Sequence, residues 1–156
     1  MATIEQGVGS GVSFALTEEQ KGLRELAREF ADKEIRPKAA EYDEHQTHAA
    51  DLVAKAHELG LMNLHVPESL GGLGLSTFEG ILVGEELNWG CSGIGTSLMA
   101  NGLASTPVFL GGSEEVKKEF LGMLTEAPKL ASFCLTEPDA GSDVSGMKTR
   151  AVKQGD

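Results

Sequence analysis

A chain of 156 residues can bury a sizeable core as one modest domain, although its aromatic content is only 5%. With 24 acidic against 13 basic residues the net charge is −11, which argues against nucleic acid or an anionic membrane as a partner. No apolar run reaches the roughly 20 residues that span a bilayer, and Cys91 and Cys134 stand in no metal-ligand spacing, a usage that fits reduced, partly buried thiols in an intracellular compartment.

Residues 1–13 carry Glu5 as their only charge and have no Lys or Arg. They read as a flexible lead, with neither a signal-peptide n-region nor an Arg-rich transit pattern. Thr17 and Gln20 have the spacing of a capping box, and Leu23, Leu26, Ala27 and Phe30 follow on one helical face, so a helix is predicted that ends before Pro37. His45 and His48 lie three apart and lack a third metal ligand beyond the neighbouring acids, so they read as surface histidines.

A second helix is predicted over residues 47–59, with Leu52, Val53, Ala56 and Leu59 inward and Gly60 as its stop. Residues 66–75 contain Pro67 and three glycines, so they form a loop, and without a following Lys-Ser/Thr this is no phosphate-binding P-loop. Ser76 and Glu79 repeat the capping box and open a helix to about Asn88. Glu85 and Glu86 are adjacent and so diverge on its surface, and Trp89 at its end reads as a core anchor.

From Ser92 or Gly93 to Leu110 small residues alternate with Ile94, Leu98, Met99 and Leu103. Glycines inside a helix each cost about 1 kcal/mol against Ala, so their density points to tight helix packing or to a ligand channel. A further helix over residues 114–124 sets Val116, Phe120, Leu121 and Leu124 against an exposed charged side.

Residues 130–135 form an apolar run of strand length, and residues 147–152 form a second, alternating one. Between them Pro138, Gly141 and Gly146 punctuate a polar loop. Successive backbone N–H groups at Ala140, Gly141 and Ser142, with the hydroxyls of Thr136 and Ser142, could cradle a phosphate-bearing ligand. For that the acids Glu137, Asp139 and Asp143 must point elsewhere. The plainer reading of the same residues is an Asp/Ser/Gly turn.

The run CLTEPDAGSDVSG resembles the first signature of the acyl-CoA dehydrogenases, flavoenzymes that oxidise the Cα–Cβ bond of acyl-CoA thioesters. LGLMNLHVPESLGGLGLSTFEGILVGEELNWGCSGIGT is similar to their N-terminal helical domain, in the medium-chain branch above all. The resemblance runs from about Phe14 to the last residue and implies a fragment, since family members are more than twice as long. The implied fold class is mainly α: a helical bundle over residues 14–128, followed over 129–156 by the first strands of a truncated flavin-binding β-domain.

The implied activity is FAD-dependent α,β-dehydrogenation of a fatty acyl-CoA in fatty-acid β-oxidation. Electrons then pass to an electron-transferring flavoprotein, and the full-length family is a homotetramer. The setting is the cytoplasm in a bacterium or the mitochondrial matrix in a eukaryote. By the motif, Phe133, Cys134, Leu135 and Thr136 line the flavin ring, Gly141 and Ser142 serve the pyrophosphate or the CoA moiety, and Ser142 touches both ligands. Thr96, Met99 and Leu103 match the inward face of the acyl slot, and Met99 replaces an acid of the medium-chain enzymes, which unsettles chain-length preference.

No residue matches the family's catalytic carboxylate, which belongs to its C-terminal helical domain, so Glu137 is not promoted to that role. The 156 residues alone are therefore expected to bind FAD weakly or not at all and to show no turnover. The readings set against this one are an acyl-CoA oxidase or related flavoenzyme fragment, and a non-catalytic helical interaction module.

Overall fold

The computed structural model describes residues 15–155. Their regular structure is six α-helices, α1 (Glu18–Phe30), α2 (Arg36–His45), α3 (Ala50–Glu58), α4 (Thr77–Gly90), α5 (Ser92–Gly111) and α6 (Glu114–Glu126), with one π turn and two short 3-10 turns. The lead over residues 1–13 lies outside the described residues.

Both capping boxes form. Thr17 Oγ1 accepts the Gln20 N–H at 3.1 Å, and Gln20 Oε1 accepts the Thr17 N–H at 3.1 Å. Glu79 accepts the Ser76 N–H at 3.0 Å in the same way. The Gln20 amide also donates to Glu79 at 2.7 Å, so the two caps are tied together and the N-termini of α1 and α4 start side by side.

Helix α1 ends at Phe30, but the helical path does not stop before Pro37. A π turn, Ala31–Ile35, carries α1 into α2, with the Arg36 N–H reaching back to the Ala31 carbonyl. Pro37 thereby falls in the first turn of α2, the position in a helix where proline is best tolerated. Helix α3 begins at Ala50 instead of residue 47, because the Thr47 N–H bonds the Tyr42 carbonyl at 3.3 Å and so belongs to the end of α2. Gly60, at φ +70°, stops the chain after α3 as its sequence position predicts.

Helix α1 packs against α4, α4 against α5 and α5 against α6. The core between them holds Phe30, Ile35, Leu52, Leu87 and Leu98, all buried, each worth about 1.5–3 kcal/mol on removal from water. Glu86, also buried on α4, pairs with Arg28 of α1, and its Oε2 makes the ion contact without a hydrogen bond of good geometry.

Trp89 is not a core anchor. It stands exposed with the guanidiniums of Arg28 and Arg36 over its ring, 3.8 and 4.2 Å from the ring centre, and is held by cation–π attraction from both arginines.

The strands expected at residues 130–135 and 147–152 do not form. Among the described residues the sole β-type pairing is the bridge between Glu137 and Ala140. A strand exists by hydrogen bonding to a neighbour, and neither run has a ladder partner within these residues. Both cysteines are free; Cys91 is half-buried, whereas Cys134 is exposed.

Candidate functional site

Helix α5 runs along an open cleft of about 880 Å³, closed on its other sides by the chain between α3 and α4, the start of α4, and Leu121 of α6. Thr96, Met99 and Leu103 all line it. At about 100° per residue these positions fall within about 60° of one another around the helix. Leu103 is 65% exposed, and Phe109 and Leu110 beside it in the lining are exposed too, so an apolar wall faces open space. The other lining side chains are apolar or neutral polar apart from His65, and no Asp or Glu is among them.

The small residues of α5 serve both of the roles their density allows. A Cβ built on Gly95 would come within 2.9 Å of Asn88, so this glycine permits close packing on α4. A Cβ on Gly102 would meet nothing within 4 Å, and Gly102 lines the cleft. Met99 lines the cleft, and its Sδ and Cε would lie 2.8 Å from a Cβ on Gly84. The thioether therefore lies against bare backbone of α4. Asn88 holds that corner by donating to the Gly84 carbonyl at 2.8 Å, with its Nδ2 4.0 Å from Met99 Sδ.

The polar loop after residue 136 is built around a tight turn in which Glu137 and Ala140 exchange backbone bonds of 3.1 and 3.2 Å. Of the three successive N–H groups, that of Ala140 is therefore engaged, while those of Gly141 and Ser142 have no acceptor among the described residues. Nothing lies within 4 Å of a Cβ on Gly141, so the approach to its backbone is open.

The three acids point elsewhere. Glu137 accepts the N–H groups of Lys148 and Thr149 at 2.7 and 2.9 Å. Its carboxyl is held below its ordinary range, first by the Thr149 side chain and then by these backbone donors. Asp139 pairs with Lys148 at 3.1 Å, and Asp143 caps the Ser145 N–H at 3.1 Å. A cradle of neutral donors with its carboxylates engaged is compatible with a phosphate-bearing cofactor.

Phe133, Cys134, Thr136, Gly141 and Ser142 are exposed and Leu135 is half-buried, and none of the six lines the cleft. The sequence thus locates two separate groups of residues, and what joins them is a residue that it gives no reason to select. Asn101 of α5 is 1% exposed. Its Nδ2 donates to Asn63 Oδ1 and to the Lys129 carbonyl, each at 2.9 Å, and its Oδ1 accepts the Ala131 N–H at 2.7 Å. Asn63 in turn donates to the Leu124 carbonyl at the end of α6, at 2.6 Å. The only sequence cue to this network is a polar residue among the apolar and small residues of α5.

The acyl-CoA dehydrogenase N-terminal domain model matches residues 17–127. The chain belongs to the acyl-CoA dehydrogenase family. A protein named probable medium-chain specific acyl-CoA dehydrogenase 2, mitochondrial, from Caenorhabditis briggsae is 44% identical over 144 residues, 92% of this chain and 35% of that protein.

A chain in the structure of the electron transferring flavoprotein of Acidaminococcus fermentans matches with a TM-score of 0.86 at 38% identity, over 93% of this chain and 38% of that one. The acyl-CoA dehydrogenase of Bacillus anthracis, solved in complex with FAD, matches with a TM-score of 0.78 at 34% identity, over 85% of this chain and 23% of that one. FAD is thus bound within a structural neighbour. The chain spans 35% to 38% of the length of the curated relatives it matches, and among the described residues no helix is long and apolar enough to cross a membrane.

Proposed function

We propose that this chain supplies the acyl-tail side of the substrate slot and the first flavin contacts of an FAD-dependent acyl-CoA dehydrogenase, which acts on a fatty acyl-CoA thioester in fatty-acid β-oxidation. The observation that carries the reading is the convergence of Thr96, Met99 and Leu103 on one apolar cleft without a carboxylate. Such a surface gains free energy by taking alkyl chain from water, at about 0.8 kcal/mol per buried CH₂, and it sets no charge against it.

Residues 14–128 form the helical N-terminal domain in this reading, and 129–156 begin the flavin-binding domain. The exposed face of Phe133, the backbone of Cys134 and Leu135 and the free hydroxyl of Thr136 lie against the flavin ring, while the unpaired N–H groups of Gly141 and Ser142 meet the pyrophosphate or the CoA moiety. FAD, when bound, supplies the acceptor for the hydrogen leaving the β-carbon. Removal of the α-proton is assigned to a carboxylate outside the described residues. Glu137 is unsuited to it, because its carboxylate is bonded to two backbone N–H groups and its lowered pKa makes it a poorer proton acceptor.

Acyl-CoA, an electron-transferring flavoprotein and further copies in a tetramer are the partners in this reading. The cytoplasm of a bacterium or a mitochondrial matrix is the setting. The test is a chimera of the Caenorhabditis briggsae relative in which the matching segment is replaced by residues 17–155 of this chain, assayed with saturated acyl-CoA and an artificial electron acceptor. Turnover is expected. A chimera that folds and binds FAD but oxidises no acyl-CoA overturns the reading.

A further inference from the structure

We propose that Asn101 is a positioning residue that fixes the register between the cleft-facing side of α5 and the segment that carries Phe133, Cys134, Leu135 and Thr136. Of residues 98–106, only Asn101 and Ala104 do not line the cleft. Position 101 is turned about 160° from Met99 and Leu103 at 100° per residue. Met99 and Leu103 therefore meet the cleft, while Asn101, turned away from them, holds the chain that leaves α6.

The side-chain amide is used on both ends. Its oxygen takes the Ala131 N–H at 2.7 Å and its nitrogen takes the Lys129 carbonyl at 2.9 Å. This two-point grip fixes both the position and the direction of the backbone two residues before Phe133. The same nitrogen donates to Asn63, which lines the cleft and is bonded to the Leu124 carbonyl. The clamp thus refers the emerging segment to two walls of the cleft at once. Burial in a site of low dielectric strengthens such bonds and makes a broken one expensive, so the grip has one favoured geometry. No helix or strand hydrogen bond holds residues 129–131 in its place.

What is being positioned rests on the functional reading above, whereas the grip itself rests on geometry alone. The experiment is therefore run on the 156-residue chain with neither FAD nor thioester present. Backbone ¹⁵N relaxation is measured in the parent and in two variants. Asn101→Leu keeps the bulk and removes every bond, and Ala131→Pro removes the gripped N–H and leaves the buried side chain untouched.

In the parent, Leu130, Ala131 and Phe133 are expected to have order parameters near ~0.85, with Leu130 and Phe133 falling below ~0.6 in both variants, and Ala131 doing so in Asn101→Leu, while Val83 and Leu98 stay rigid. Parent mobility at Ala131, or a rigid Ala131 segment in a folded variant, overturns the proposal. If Asn101 merely filled space, Asn101→Leu would leave the segment rigid. Should that variant fail to fold, Ala131→Pro decides the question. A failed clamp leaves the functional reading standing, and an inactive chimera with an intact clamp removes the functional reading alone.

Discussion

Replacing Gly84 by Ala tests the cleft from outside its lining. The new Cβ would lie 2.8 Å from Met99 Sδ and Cε, and ordinary contact begins near 3.4 Å, so the thioether must retreat by at least 0.6 Å. Helix α4 blocks one direction and the Asn88 amide sits beside the sulfur, which leaves the cleft. Stability should change by less than about 1 kcal/mol, because the helix-propensity gain of Ala over Gly offsets the displacement of a flexible side-chain tip.

Ligand preference should change more. Loss of room for one methylene removes about 0.8 kcal/mol of burial, roughly fourfold in affinity at 1.4 kcal/mol per decade. A series of saturated acyl-CoA thioesters, titrated while the amide shifts of Thr96 and Leu103 are followed, should lose affinity in Gly84→Ala only for the longer chains. Met99→Ala should shift the optimum the other way, toward longer chains. A folded Gly84→Ala with the parent's chain-length profile would refute the placing of Met99 in the slot.

Three other expectations concern the scaffold. A Cβ on Gly72 would fall 2.0 Å from the Val66 backbone oxygen, so Gly72→Ala should lower stability by about 2 kcal/mol or more in urea unfolding, whereas Gly102→Ala, with open space around it, should raise it by up to about 1 kcal/mol. Thr17→Ala and Ser76→Ala should each cost about 1 kcal/mol. Their double mutant should depart from additivity, because Gln20 and Glu79 share a bond.

The third concerns pH. Asp51, bonded first by Lys38 and then by Tyr42, has its pKa lowered from 3.8 to about 2. A folded-state value below the unfolded one stabilises the fold above the unfolded pKa, and this contribution is lost as pH falls from about 3.8 through about 2. Asp51 is half exposed, so solvent screening keeps the contribution under about 1 kcal/mol. Asp51→Asn should be the less stable protein at pH 7 and equal to the parent below pH ~2, read from urea midpoints.

Local signals were legible and long-range ones were not. Thr17 with Gln20 and Ser76 with Glu79 marked two helix starts correctly, because a capping box is complete within four residues. Pro37 misled, since whether a proline ends a helix depends on whether the preceding turn can widen. Trp89 was misplaced because its stacking partners come from Arg28 and Arg36, more than fifty residues away. Thr96, Met99 and Leu103 were put forward by likeness and not by periodicity, and all three line the cleft. Asn101 escaped both, because its partners at positions 63, 129 and 131 are adjacent only after α5 and α6 have packed.

The most direct measurement is a ¹³C-methyl NMR titration of the methionines, with Met99 assigned by substitution, using a saturated acyl-CoA against free CoA. A saturable shift of the Met99 methyl is expected with acyl-CoA that free CoA does not produce, with the amides of Thr96 and Leu103 moving in parallel. Equal shifts with both ligands, or an acyl-dependent shift at Met123 or Met147 with Met99 unmoved, would contradict it.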